Sequence, residues 1–269
     1  MSALQLKPRR LKGRADYFFG SRVLARVEVS SFANRMAELG PIAVIGGMLR
    51  DLYLAGNRYF VSDVDFVISP SSLPEFDRLA ALYLAQKNRF GGYGLKLGRW
   101  KVDIWPLERT WAAVHGHVDV HALADLTKVT FFDWDAIIYK PHEGNLFYCA
   151  DWFERVDQRI LEINLEPNPN PLGNAVRALR YARRWNAKLG PRLAQHVYTQ
   201  IFDSGWDCLV QSERTSFTSQ ILRHLDSNRV IELLKACERD SWAQPADLRL
   251  GAEQTRFALN VGSAAGSPQ

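Results

Sequence analysis

The chain has 269 residues, of which 47% are hydrophobic and 23% charged, enough to bury one large core or two smaller ones. Its 34 Lys and Arg residues outnumber its 29 Asp and Glu residues, and the resulting formal charge of +5 weakly indicates an anionic partner. No apolar run approaches the roughly 18–20 residues of a membrane span, so we expect no membrane partner. Three scattered cysteines and the absence of a signal-peptide pattern favour a reducing, cytoplasmic location.

The apolar periodicity predicts a mixed first part of the chain. Residues 1–20 are rich in Lys and Arg, and we interpret them as a basic N-terminal arm. The pattern then predicts, in chain order, a helix over 21–39, a strand over 41–46, a helix over 47–55, a strand over 63–69, a helix from 72 to about 87, strands near 93–97, 100–105, 128–132 and 136–140, and a hairpin to 145–149.

From residue 151 the pattern becomes helical. It predicts helices over 151–162, 171–188, 191–203, 215–225 and 227–240. The fold expected is therefore an α/β head with a mixed β-sheet over 21–150, followed by an all-α neck and body over 151–250. Residues 251–269, rich in Gly, Ala and Ser near their end, are predicted to be a flexible tail.

A pair of glycines separates the first predicted strand from the helix that follows. Gly46 and Gly47 lack a Cβ where the backbone would have to approach a ligand closely. A helix that begins there points its N–H groups and the positive end of its dipole at a phosphate. On its own the pair could be a plain strand-to-helix turn, and its combination with the carboxylates below favours phosphate binding.

Two aspartates at alternate positions begin the second predicted strand. Asp63 and Asp65 share one face of it, while the apolar residues between and after them face a core. Asp103 lies between Val102 and Ile104 on a later strand and is expected to point the same way. Hard oxygen ligands on a rigid face suit Mg²⁺, and two such ions can activate a hydroxyl and stabilise a leaving pyrophosphate. The alternatives are a polar edge strand for the pair and a surface carboxylate for the third aspartate.

Together these motifs carry a resemblance. Gly46-Gly47-Met48-Leu49-Arg50-Asp51, followed by Asp63-Val64-Asp65 and a later aspartate, resembles the nucleotidyltransferase head of the DNA polymerase β superfamily. It is most similar to the bacterial CCA-adding enzymes and poly(A) polymerases of class II, which show Gly-Gly-x-x-Arg-Asp, Asp-x-Asp and a third Asp. The resemblance is strong over about 40–105 and weaker to about 185.

The downstream match departs from the family. The family's Arg-Arg-Asp-Phe-Thr-Ile-Asn-Ala block corresponds to the stretch around Asp135, which stands where the family has Asn. The family's base-recognising Asp and Arg correspond to Asn170 and Asn174, before the run Arg177-Ala178-Leu179-Arg180-Tyr181-Ala182. The pattern that selects CTP and then ATP is therefore not reproduced.

The predicted helix from residue 171 carries basic residues. Arg177, Arg180 and Arg184 share one of its faces, and no acidic residue occurs between Glu166 and Asp203. Such a stripe can bind phosphates of a nucleotide or nucleic acid, and the alternative is a solvated helix face.

The resemblance implies a Mg²⁺-dependent nucleotidyltransferase with two metal ions, held by Asp63, Asp65 and Asp103, which are also the catalytic residues. Gly46, Gly47, Arg50, Arg177 and Arg180 are implied to bind the nucleotide, and Arg50 is also expected to brace the helix by an ion pair with Asp51. The substrates implied are an NTP, ATP or CTP, and an RNA 3′ end. Two alternatives stay open: a defence- or toxin-type enzyme with another acceptor and a possible partner protein, and a non-catalytic nucleotide- or RNA-binding module.

Overall fold

The computed structural model describes residues 3–58, 60, 62–88 and 91–250, and the predicted tail at 251–269 lies outside them. The α-helices of this part are α1 (Ala3–Phe19), α2 (Leu24–Ala37), α3 (Gly47–Ala55), α4 (Leu73–Leu82), α5 (Trp111–Val114), α6 (Trp152–Asp157), α7 (Pro171–Trp185), α8 (Pro191–Ser204), α9 (Trp206–Ser216) and α10 (Ser227–Arg239). The strands are β1 (Ile42–Ile45), β2 (Val64–Ile68), β3 (Gln86–Lys87), β4 (Tyr93–Leu97), β5 (Trp100–Pro106), β6 (Ile137–Lys140), β7 (Asn145–Tyr148), β8 (Ile160–Leu161) and β9 (Lys188–Leu189). Short 3₁₀ turns occupy Leu107–Arg109, Leu123–Lys128, Asp133–Asp135 and Leu222–His224.

A mixed seven-stranded sheet forms the first half of the protein. Its strand order is β3-β4-β5-β2-β1-β6-β7. Within it β2 and β5 are parallel, and the other neighbouring strands are antiparallel. β8 and β9 form a separate parallel pair.

The two faces of the central strands are covered by different parts of the chain. Val64, Phe66 and Ile68 of β2 belong to the main hydrophobic core, as the alternation of the sequence predicts. Val67 belongs instead to a smaller cluster on the opposite face, together with Leu123 and Leu126. Asp65 lies on that opposite face, so its carboxylate is next to this smaller apolar cluster.

The N-terminal segment corrects our prediction of an arm, because residues 3–19 form α1. Leu11, Ala15 and Phe18 follow each other at helical spacing and are fully buried. The guanidinium of Arg14 donates to the carbonyl oxygens of Leu52 and Tyr53 at 2.6 and 2.7 Å, which satisfies the C-terminal end of α3. The many Lys and Arg residues of this segment made the apolar face of α1, which packs into the main core, hard to detect in the sequence.

Three other predictions were wrong in detail. The strand expected near 128–132 is a loop that makes only an isolated bridge between Phe132 and Ile163. The helix expected to reach residue 87 ends at Leu82, since Leu84 adopts a left-handed φ of 54° before the chain turns into β3. The helix expected over 215–225 is replaced by the end of α9 and a 3₁₀ turn.

Helices make up most of residues 151–250, where α7 packs against both α8 and α9, and α8 packs against α10. One continuous core joins the sheet to these helices: Ala175 and Leu179 of α7 belong to the same cluster as Val44 and Phe66. None of the helices in the described residues has the length and apolar character needed to cross a membrane. The expected α/β head with a mixed sheet and a helical neck and body is confirmed, while the domain boundaries stay predictions.

Candidate functional site: a cleft between the sheet and the first long helix of the body

The three predicted carboxylates lie on, or directly before, two neighbouring parallel strands. Asp65 of β2 is the Cα partner of Asp103 of β5, and Asp63 directly precedes β2. Val102 and Ile104, on either side of Asp103, are fully buried. The alternation therefore turns Asp65 and Asp103 toward the same face of the sheet, away from the main core, as the sequence predicts.

A lysine lies among these carboxylates. The Nζ atom of Lys101 donates to Oδ2 of Asp63 at 3.0 Å and lies 3.2 Å from Oδ2 of Asp103. Within the described ranges, no group of three His, Cys, Asp or Glu side chains has the geometry of a metal site. The structure thus gathers acidic oxygens around a cation that belongs to the chain itself.

The pKa of Asp65 reflects its burial and the negative charges beside it. Burial raises the pKa of Asp65, and the neighbouring charges of Asp103 and Asp63 raise it further, to about 7. Arg177 and Lys101 act in the opposite direction. A cation brought to this cluster would favour the ionised carboxylate.

The glycine pair opens α3 at the same cleft. Gly46 precedes the helix with a φ of 75°, a conformation that L side chains rarely adopt, and its N–H donates to the carbonyl oxygen of Ile137 at 3.1 Å. Gly47 is the first helical residue, and the N-cap residue, Gly46, has no side chain that could cap this helix end. The cleft has a volume of about 1020 Å³ and is lined by both glycines, Asp63 and Asp65. The helix N-terminus and the carboxylates therefore face one space.

Arg50 is held in a buried ion-pair network beside the glycines. Its Nη2 atom lies 2.8 Å from Oδ1 of Asp51, and its Nη1 atom pairs with Asp135. The same Nη1 donates to the hydroxyl of Tyr181 at 2.6 Å, and the guanidinium also lies over that ring. Burial lowers the pKa of Arg50, but Tyr181 and the two carboxylates more than offset it, so the pKa is raised well above its usual value. The expected ion pair with Asp51 is present; nucleotide binding by Arg50 stays a prediction.

The arginines of α7 reach the cleft, but each is paired. Arg177 binds Oδ2 of Asp135 at 3.0 Å, and Arg184 lies 3.5 Å from Oδ2 of Asp51. Arg180 pairs with the buried Glu213 of α9. The charges of this face are therefore paired with acids far away in the chain, and nucleotide binding by Arg177 and Arg180 stays a prediction. Arg177 keeps 40% of its side-chain surface exposed and Arg180 only 16%.

The asparagines at the start of α7 border an adjoining pocket of about 300 Å³, which meets the cleft at Phe131 and Arg177. The Oδ1 atom of Asn170 accepts from the N–H of Gly173 at 3.1 Å and so caps the helix. Asn174 lies one turn further on and is only 6% exposed. Capping therefore occupies the amide oxygen of Asn170, one of the two asparagines that correspond to the family's base-recognising Asp and Arg.

Sequence reasoning missed three contributors to the site. Lys101 was overlooked although it lies two residues before Asp103 and so shares its strand face. Ser62 donates to Asp51, and Glu213 accepts from the N–H groups of Ile221 and Leu222 as well as from Arg180. Only the spacing of Lys101 carried a signal in the sequence.

Comparison with known proteins finds similarity at the level of structure. No protein-family model matches the chain, and no curated protein matches it by sequence. Among solved structures it is similar to a tRNA nucleotidyltransferase complexed with a primer tRNA and an incoming ATP analogue, at 20% identity and a TM-score of 0.50, over 77% of this chain and 60% of that one. It is also similar to a structure described as tRNA-processing enzyme complex 3, at 21% identity and a TM-score of 0.50, over 77% of this chain and 56% of that one.

These similarities establish the fold that the motifs led us to expect. The chain shares the fold of the tRNA nucleotidyltransferase and spans less than two-thirds of the length of these two structures. At such low identity, the activity and substrates do not follow from the similarity alone.

Proposed function

We propose that the protein is a nucleotidyltransferase that transfers a nucleoside monophosphate from an NTP to an acceptor hydroxyl, with an RNA 3′ end as the favoured acceptor. The observation that carries this proposal is one cleft in which the glycine-marked N-terminus of α3 faces Asp63 and Asp65. A helix N-terminus suits a triphosphate, and clustered carboxylates suit the cations that accompany it.

The donor set fits magnesium. Asp63, Asp65 and Asp103 supply only oxygen ligands, and Asp63 and Asp103 already share one cation, the ammonium of Lys101. Burial and the neighbouring charges of Asp103 and Asp63 raise the pKa of Asp65, and a divalent ion beside it would oppose both effects by favouring the ionised carboxylate. When bound, two Mg²⁺ ions would lower the pKa of the acceptor hydroxyl and offset the charge of the departing pyrophosphate.

The remaining groups of the cleft are assigned to binding and orienting the NTP. The N-terminal N–H groups of α3 are assigned to the triphosphate, and Gly47 lets the backbone approach it. Arg177, whose side chain is partly exposed between the cleft and the adjoining pocket, is assigned to the nucleotide. In the transfer the acceptor oxygen bonds to the α-phosphorus, the bond from this phosphorus to the oxygen shared with the β-phosphate breaks, pyrophosphate leaves, and the hydroxyl proton passes to solvent. Arg50 and Arg180 are assigned supporting roles, since their side chains are only 4% and 16% exposed.

A labelling experiment tests the proposal. The purified protein is incubated with each labelled NTP and dNTP, Mg²⁺ and total RNA. Labelled RNA would support the proposed activity. A labelled product that forms without RNA would instead support a defence- or toxin-type enzyme, and no incorporation under any condition would support a binding module.

Gly47→Ala is expected to separate nucleotide binding from stability. A Cβ at Gly47 would meet Nη2 of Arg50 at 3.4 Å, a tight contact with the end of a side chain. Alanine also favours a helix by up to about 1 kcal/mol over glycine, so we expect little or no loss of stability. A methyl group that obstructs the phosphates should weaken NTP binding about tenfold, the effect of losing one charge-assisted hydrogen bond. Calorimetric titration with a non-hydrolysable NTP measures this change.

Gly13→Ala is the matched control for this variant. Gly13 lies on the exposed side of α1, and a Cβ added there would have no atom within 4 Å. The substitution gains the same helix propensity without touching the cleft, so its nucleotide affinity should not change. An unchanged affinity in a folded Gly47→Ala variant would mean that the glycine pair is only a turn.

We also expect the protein not to rebuild a complete CCA end in order. The amide groups of Asn170 and Asn174 cannot provide the fixed, charge-assisted contacts of an Asp and Arg pair, and Asn170 already caps α7. Base selection by this helix should therefore be looser than in a CCA-adding enzyme. Incubation with a tRNA that lacks CCA, followed by sequencing of the products, measures the outcome. Ordered addition of C, C and A would contradict this interpretation of the two asparagines.

A further inference from the structure

Lys101 is positioned by the sheet to face the carboxylate cluster. It lies two residues before Asp103 on β5 and therefore shares that residue's strand face. Its Nζ atom lies 3.0 Å from Oδ2 of Asp63 and 3.2 Å from Oδ2 of Asp103. One ammonium group thus bridges the carboxylate of Asp63, directly before β2, and that of Asp103 on β5.

The neighbouring strand shapes the space around Asp103. Gly94 of β4 is its Cα partner, and a Cβ at that position would lie 2.9 Å from Oδ1 of Asp103. The carboxylate therefore occupies room that only a glycine leaves, with its other oxygen toward Lys101. The strands therefore fix the position of the Asp103 carboxylate, because Gly94 borders one of its oxygens and Lys101 contacts the other.

The same oxygens cannot serve the ammonium and a metal ion fully at once. A divalent ion on Asp63 and Asp103 would meet the positive charge of Lys101 about 3 Å from the oxygens it needs. The two positive charges would repel at such short range, and the metal ion would bind the same carboxylate lone pairs that now accept hydrogen bonds from the ammonium group. Lys101 can leave, because its side chain is 63% exposed and its stem is flexible.

We propose that Lys101 is a resident counter-cation of the carboxylate cluster, which a divalent metal ion must displace from Asp63 and Asp103 in order to bind. Lys101 thereby sets the metal concentration at which the site fills. This inference rests on the proposed function, because it assumes that the three aspartates are the metal ligands. Without metal, the lysine limits the mutual repulsion of the carboxylates; with metal, it is a competitor.

The first test is calorimetric titration of the full-length protein with Mn²⁺ alone. Lys101→Met keeps the length of the apolar stem and removes the charge, and Lys101→Gln is a second variant with a polar end. Both should bind Mn²⁺ about three- to tenfold more tightly than the unsubstituted protein, the effect of losing two partly exposed ion pairs and one nearby charge. Lys96→Met is the matched control, because Lys96 is the exposed cross-strand partner of Lys101 and changes the net charge equally.

The second measurement is the melting temperature with and without metal. Metal-free Lys101→Met should melt below the unsubstituted protein because its carboxylates have lost their counter-cation, and Mn²⁺ should raise its melting temperature by more. An affinity within twofold of the unsubstituted protein, or an equal gain in Lys96→Met, would overturn the role of Lys101 and leave the metal site intact. No Mn²⁺ binding by any variant would overturn both the counter-cation and the metal assignment on which the proposed function relies.

Discussion

Replacing Asp65 with asparagine is expected to reduce nucleotide transfer on the order of a thousandfold or more, because it removes the central carboxylate of the cluster. Asparagine keeps the shape of the side chain and loses the charge that a metal ion requires. Single-turnover incorporation of a labelled NTP measures the effect. Asp119→Asn, at an exposed position, is the control and should be fully active.

Asp65→Asn should not lose stability, in contrast to its loss of activity. Burial and the neighbouring carboxylates raise the pKa of Asp65 to about 7, so the folded protein binds more protons at this site than the unfolded chain between about pH 4 and pH 7. The contribution of Asp65 to stability therefore falls as the pH rises through that window. In the absence of metal, Asp65→Asn should match or exceed the unsubstituted protein in melting temperature at pH 8, with the difference shrinking toward pH 4. Transfer within tenfold of normal, or a large loss of stability at pH 8, would contradict the assignment.

Replacing Arg50 with methionine is expected to destabilise the protein by about 3 kcal/mol, or a fall in melting temperature of about 6–12 °C. The substitution leaves the buried carboxylates of Asp51 and Asp135 without their shared partner. Asp135 keeps Arg177 and Asp51 keeps Arg184, so we expect the lower end of the range measured for broken buried ion pairs. Denaturant unfolding of the metal-free protein gives the value.

The control for this variant is an arginine in an exposed pair. Arg35 pairs with Glu38, and both side chains are more than half exposed, so Arg35→Met should cost less than about 1 kcal/mol. Equal losses in the two variants would show that the network around Arg50 contributes no more than a surface ion pair.

The local parts of the site could be predicted from the sequence, because short-range geometry decides them. The helix predicted over 47–55 begins and ends at those residues, and strand alternation turns Asp65 and Asp103 toward one face. These features depend on glycine conformation and on a period of two, which neighbouring residues reveal. The roles of the aspartates stay predictions.

The partners of the charges could not be predicted, because the pairs join distant parts of the chain. Arg50 meets Asp135, 85 positions away, and Arg180 meets Glu213, 33 positions away. A helix with three arginines on one face looks the same in sequence whether its partner is a phosphate or a buried glutamate. In α1 the error was the opposite one, since a high density of Lys and Arg concealed the apolar spacing of Leu11, Ala15 and Phe18.

The buried ion pairs that link α3 and the Asp133–Asp135 turn to α7 determine where the protein can be cut into fragments or joined to another protein. Asp51 and Asp135 precede the predicted boundary at 150/151, while Arg177 and Arg184 follow it. A fragment that ends at the boundary would keep the two buried aspartates and lose two of the arginines that pair with them. The structural unit that keeps these ion pairs intact is therefore the sheet together with α7. A chimera that joins this head to another body should retain its integrity only if residues 171–185 are transferred with the head.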